Sequence, residues 1–204
     1  MSAWSRFVTA VRADHAQQLE FDERYTSDLR AQGGGALVRD LVQRIGLQMM
    51  AAYRVMRLLD DLHVPVAPKI ASRMIRFFYG SDIHWDAQLA GGVTIVHGMG
   101  LAISGAAKVG SRCLLFHNVT LGEAIDPKTR RTGAPTIEDD VHIGPGATLL
   151  GPITIGSGSK IMAGSVVTQS VPRNSLVEAP SPQVTSRIRP RDHAARGEDD
   201  RTVK

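Results

Sequence analysis

One of the seven histidines in this 204-residue chain, His97, stands in the stretch IVHGMG with Gly98 and Gly100 close behind it. An imidazole titrates near neutral pH, so it can take a proton from a hydroxyl and turn a weak nucleophile into a useful one. The two glycines leave room for substrate beside the ring. A second histidine, His117, follows in FHNVTLGE. The plain alternative for both is a side chain that merely faces solvent. His84 in SDIH reads as local structure, His142 as a surface residue, and His193 as a solvated residue of a charged tail.

These residues are spaced by a repeat. Aliphatic side chains begin hexads at Ile83, Leu89, Ile95, Ile103, Val109, Leu115 and Leu121, then at Ile137, Ile143, Leu149, Ile155, Ile161 and Val167. The fifth position is small or aliphatic, as at Ala87, Val93, Ala107, Cys113, Val119, Val141 and Ala147. This pattern predicts a parallel β-helix in which three hexads make one triangular coil. Coils then stack about 4.8 Å apart, and the first residue of each hexad fills the prism. His97 and His117 are each the third residue of a hexad, so they should share a face one coil apart. The rhythm breaks twice, by two extra residues at 101–102 and by the excursion EAIDPKTRRTGAPT over residues 123–136. Loops on rigid scaffolds often carry function.

Residues 1–80 read as helical and form a separate N-terminal region. Leu37, Leu41, Ile45, Met49 and Tyr53 recur at spacing four and predict one helix, set off from an earlier polar helix by Gly33-Gly34-Gly35. A last helix begins near Pro68, carries Ile70, Met74, Phe77 and Phe78, and stops at Gly80. These stripes are expected to pack against other helices. The β-helix is expected over 81–178, and the segment 179–204 reads as a charged tail, partly disordered. The fold class is thus mainly β, a β-helix behind a helical region.

Composition narrows the function. Cys113 is the only cysteine, so neither an intrachain disulfide nor a cysteine metal cluster is expected. A net charge of +4 suits an anionic cofactor as well as a nucleic acid, but 5% aromatic residues with no basic-aromatic interleaving argue against nucleic acid. No run is long and apolar enough for a membrane span, and the start has no signal-peptide pattern, so the expected setting is cytoplasmic.

Taken together, AYRV (Ala52 to Val55), SDIHWDAQL, IVHGMG, FHNVTLGE and the long run from GAPTIEDD to VTQSVP resemble the serine acetyltransferase family of left-handed β-helix acyltransferases. The resemblance covers most of residues 47–178. It implies a homotrimer, in some members a dimer of trimers, with sites between subunits, acetyl-CoA as co-substrate and a hydroxyl acceptor. It implies His97 as general base and Asp82 as the carboxylate that orients it; Asp82 could equally be a linker residue capping local N–H groups. Backbone N–H groups near His97 could hold the oxyanion. By the same resemblance, CoA lies along Gly122, Gly144, Pro145, Lys160 and Ala163. Lys160 could meet a phosphate, while Pro145 has no N–H to offer.

The acceptor side departs from the family. Where the family has an aspartate before the histidine, this chain has Val96, and where it has an Arg-His pair before a proline, this chain has Gly133 and Ala134. A zwitterionic amino acid needs opposing charges to replace its lost hydration. Weak acceptor candidates are Val96, Gly98, His117 and Arg131, with Arg130 beside it; Asp14 reads more simply as a surface residue. The acceptor is therefore a serine-like amino acid or another alcohol, such as a sugar hydroxyl in polysaccharide or specialised-metabolite synthesis. A silent CoA-binding scaffold is a further reading. A zinc hydratase would need three imidazoles on one metal, with a histidine pair five residues apart that is absent here.

Overall fold

The computed structural model describes residues 2–25, 36–126, 129–181 and 183. Gly33-Gly34-Gly35, His193 and nearly all of the 179–204 segment lie outside the described residues. Four helices come first: α1 (Ala3–Tyr25), α2 (Ala36–Gln43), α3 (Ile45–Asp61) and α4 (Ala67–Tyr79). Sixteen short strands follow among the described residues, fourteen of them in a three-sided parallel β-helix.

Each side of the prism is one parallel sheet. The first side stacks β1 (Asp82–Ile83), β4 (Ala102–Ile103), β7 (Thr120–Gly122), β12 (Thr148–Leu150) and β15 (Val166–Val167). The second stacks β2 (Gln88–Leu89), β5 (Lys108–Val109), β10 (Thr136–Ile137) and β13 (Thr154–Ile155). The third stacks β3 (Thr94–Val96), β6 (Leu114–Phe116), β11 (His142–Ile143), β14 (Lys160–Ile161) and β16 (Leu176–Val177). The register puts each hexad's first residue over the next, so Ile83, Ile103, Leu121, Leu149 and Val167 form one column. Ile95, Leu115, Ile143 and Ile161 form another. All of these side chains are buried. Burial of each aliphatic side chain stabilises by about 1.5–3 kcal/mol, and the columns make the inside of the prism one continuous core.

The excursion leaves after β7 and returns before β10. It contains an antiparallel pair, β8 (Ala124–Ile125) with β9 (Thr132–Gly133). The ladder closes across it, since Thr136 still pairs with Lys108 on one side and Thr154 on the other.

Helix α3 closes the first coil. Met49, Met50, Tyr53 and Met56 are buried against it. The Tyr53 hydroxyl donates to Ala87 O and accepts from Leu89 N, both at 2.9 Å. Arg54 grips Asp14 of α1 through two nitrogens, at 2.8 and 3.0 Å, and donates to Leu89 O and Ala90 O. Asp14 also accepts from Gly92 N at 2.8 Å. Asp14 is 2% exposed, so it is an internal clamp between α1, α3 and the first coil, and not the surface residue expected. Burial pushes its carboxyl above the usual range, against the pull of Arg54. From α4, the Ser72 hydroxyl donates to Ile83 O at 2.7 Å.

Two helical expectations differ from the structure. The stripe from Leu37 to Tyr53 is not one helix. It breaks at Arg44, whose backbone is extended (φ −116°, ψ 104°) and whose side chain pairs with Asp22 at 2.6 Å. The apolar stripe of α4 is not packed within the chain either: Ile70, Met74, Phe77 and Phe78 are all exposed, because the opposite face, with Ser72 and Ile75, meets the β-helix. The stop at Gly80 is as expected, with the glycine in the left-handed conformation at φ 60° that ends helices well. Among the described residues no helix is long and apolar enough to cross a membrane.

Candidate active site

The two-residue break after Ile95 becomes a corner. The chain leaves β3 at Val96, turns through residues 97–101 and enters β4 at Ala102. His97 has φ 64°, Gly98 57° and Gly100 71°. A left-handed conformation is uncommon for a non-glycine residue, costs on the order of 1–3 kcal/mol, and persists only where its surroundings fix it. Met99 N donates to His97 O at 2.8 Å, and Gly100 N donates to Gly80 O at 3.1 Å. Those two N–H groups are thus engaged within the fold.

This turn displays the His97 side chain to solvent. One coil on, His117 takes the equivalent place after β6, as the hexad count requires. The two rings meet edge to face with centroids 5.8 Å apart. His117 is half-buried, and its Nδ1 has no hydrogen-bond partner.

Asp82 lies in β1, on the first side of the prism. Its carboxylate is taken by Arg76 of α4 at 2.5 Å, and no hydrogen bond or ion pair joins it to His97 among the described residues. It lines a groove of about 560 Å³ with His84, Ser104, Gly122 and Glu123. Strand β4, which follows the His97 corner directly, forms part of the same groove. His84 makes local contacts: Nδ1 accepts from Asp86 N at 3.2 Å, and the ring lies tilted against Trp85 with centroids 3.8 Å apart.

The candidate donor residues fall on two sides of the prism. Gly122 ends β7 in the groove. Gly144 and Ala163 belong to stacked coils that approach closely, because a Cβ at Gly144 would stand 2.8 Å from Ala163 N. Pro145 O accepts from Gly164 N at 2.9 Å. Lys160 is exposed on the third side, in register with His142. His142 is half-buried, more than expected, and burial lowers its pKa, with Lys160 and Arg24 adding to the effect.

The weak acceptor candidates separate. Val96 is 9% exposed and Ala134 8%, so both are apolar wall with no charge to offer. Gly98 is buried over Met49. Arg130 and Arg131 are exposed on the β8–β9 excursion, where Asp126 N donates to Arg131 O at 2.8 Å.

Two residues near the corner carried no warning in the sequence. Asn118, at φ 57°, sets its side-chain amide against Gly100. Ser81 donates to Gly98 O and accepts from Leu101 N. Neither falls on a hexad position that calls for a polar group. Arg76 was findable: it is a cation in the last turn of a helix, six residues before an aspartate.

Comparison with known proteins follows the same lines. The bacterial transferase hexapeptide (six repeats) profile matches residues 134–169. A serine acetyltransferase of Synechococcus elongatus is 39% identical over 132 residues, covering 65% of this chain and 53% of its own length. The chain thus spans about half the length of that relative. The serine acetyltransferase of Helicobacter pylori is 33% identical over 130 residues, covering 64% of this chain and 75% of its own. The crystal structure of Neisseria gonorrhoeae serine acetyltransferase in complex with serine superposes with a TM-score of 0.73 at 28% identity, covering 88% of this chain and 69% of that one. On the coils, the His97 corner and these likenesses, the chain belongs to the serine acetyltransferase family.

Proposed function

We propose that the protein is an acetyl-CoA-dependent O-acetyltransferase with His97 as its general base. The observation that carries this reading is the exposed His97 ring, presented by a left-handed corner of the β-helix beside His117. In the proposed step the imidazole takes the proton of the acceptor hydroxyl as its oxygen bonds to the thioester carbonyl carbon. The tetrahedral intermediate collapses, the C–S bond breaks, and the leaving thiolate takes the proton from the imidazolium. General-base help of this kind is worth about 10²–10⁴ in rate. Asp82 is proposed to brace the imidazolium once its carboxylate exchanges Arg76 for His97. CoA is proposed to run past Gly122, Gly144 and Ala163, with Lys160 toward a phosphate.

Serine is the acceptor that the family points to. A second reading, an alcohol without a zwitterion, is favoured by one observation: Val96 and Ala134 put buried apolar groups where charges would be needed. A homotrimer in the cytoplasm is proposed with either acceptor. The exposed Met99, Phe77 and Phe78 are the apolar surface that a neighbouring subunit would cover. The test is thiol release from acetyl-CoA with L-serine, L-homoserine and neutral sugars, in wild type and His97→Ala. Turnover that depends on His97 supports the reading. Full activity in His97→Ala removes it.

A further inference from the structure

We infer that Ser81 is a positioning residue for His97, acting through the backbone of the corner; this rests on the proposal that His97 is the base. The segment 97–100 has three of its four residues in the left-handed region, His97 among them. Such a turn does not hold itself, so its surroundings have to fix it.

Three neighbours do so, besides the Gly80 carbonyl that accepts from Gly100 N. The Ser81 hydroxyl donates to Gly98 O at 2.5 Å and accepts from Leu101 N at 3.1 Å, tying the residue after His97 to the last residue of the turn. Ser81 is 1% exposed, so no water replaces it. From α3, Met49 lies against Gly98, where a Cβ would overlap its sulfur. From the next coil, Asn118 N donates to Met99 O at 2.8 Å. Of the three, Ser81 alone bonds two main-chain groups of the corner, both just after His97, with one hydroxyl.

A serine is well suited to this place. Its hydroxyl gives and accepts a hydrogen bond at once, and both partners here are buried main-chain groups. Alanine would leave the Gly98 carbonyl and the Leu101 amide without that partner and let the turn relax toward ordinary φ. The His97 ring would then swing away from its site. A misplacement of about 1 Å costs about 100-fold in rate when a reacting group depends on it.

The test compares wild type, Ser81→Ala, Ser81→Thr, His97→Ala and the Ser81→Ala/His97→Ala double variant as full-length proteins. Thiol release from acetyl-CoA is measured with L-serine, and ¹³C-labelled histidine NMR follows the His97 ring signal, assigned by its loss in His97→Ala. In Ser81→Ala, kcat is expected to fall about 10–100-fold with KM for acetyl-CoA within about twofold. The His97 ring signal is expected to move or split, and the Leu101 amide to exchange faster with solvent. Ser81→Thr, which keeps the hydroxyl, is expected to restore both readouts. The double variant is expected to be no slower than His97→Ala, because both act on one group. An unchanged His97 signal in folded Ser81→Ala overturns the inference, whatever the rates. If His97→Ala keeps full activity while Ser81→Ala shifts the ring signal, the base assignment falls and the positioning role stands. If Ser81→Ala yields no folded protein, Ser81→Cys, a weaker hydrogen-bonding partner, takes its place under the same two criteria.

Discussion

His97 and His117 face each other edge to face, 5.8 Å between ring centroids, across one coil of the β-helix. They sit close enough to share one bound molecule, yet only His97 is fully displayed. His97→Ala is expected to lower kcat about 10²–10⁴-fold. His117→Ala is expected to retain more activity, and the double variant to be no slower than His97→Ala. Steady-state kinetics on the three proteins check this ordering.

Asp82 is held by Arg76, and this pairing competes with its proposed service to His97. Asp82→Asn is expected to lower kcat at least about tenfold, since an orienting carboxylate fixes the imidazole tautomer. Arg76→Met, which frees the carboxylate, is expected to leave kcat unchanged or raised. A loss of rate in Arg76→Met equal to that in Asp82→Asn would show that the ion pair itself is the working unit.

The Asp14–Arg54 clamp joins the first helix to the first coil out of reach of solvent. Removing one partner of a buried ion pair strands the other charge, at a cost of about 3–5 kcal/mol. For a chain of this size each kcal/mol lowers Tm by about 2–4 °C, so Asp14→Ala is expected to melt about 6–20 °C lower. Calorimetry gives the number directly.

His142 has its pKa lowered in the folded protein, by burial first and by Lys160 and Arg24 next. The unfolded chain therefore binds more protons than the folded one below the ordinary histidine pKa of about 6.5, and stability rises with pH across that window. His142→Gln is expected to flatten the loss of stability between neutral and mildly acidic pH, as read from urea midpoints along a pH series.

Cys113 is fully buried, and burial pushes its thiol up to about 12. The thiolate is the reactive form, so iodoacetamide at pH 8 is expected to spare the native protein and to label it in urea. Mass spectrometry distinguishes the two.

The β-helix was legible because its rule is local and repeated. Every inward residue from Ile83 to Val167 satisfies the same steric demand, so each hexad reports the same geometry. The co-location of His97 and His117 followed from counting alone. The helices were less legible. The exposure of Phe77 and Phe78 and the burial of Asp14 depend on which face of each helix meets the first coil, and amphipathic spacing does not say which partner covers a stripe. Ser81 was invisible for a related reason: its hydroxyl answers two main-chain groups, Gly98 O and Leu101 N, that come together only when the corner has formed.

The β8–β9 hairpin leaves the prism between two strands whose ladder closes as though nothing had been inserted. The coil's own hydrogen bonds therefore do not run through that appendage, and its exposed tip, with Arg130 and Arg131, can change in charge while the ladder between Lys108, Thr136 and Thr154 stays intact.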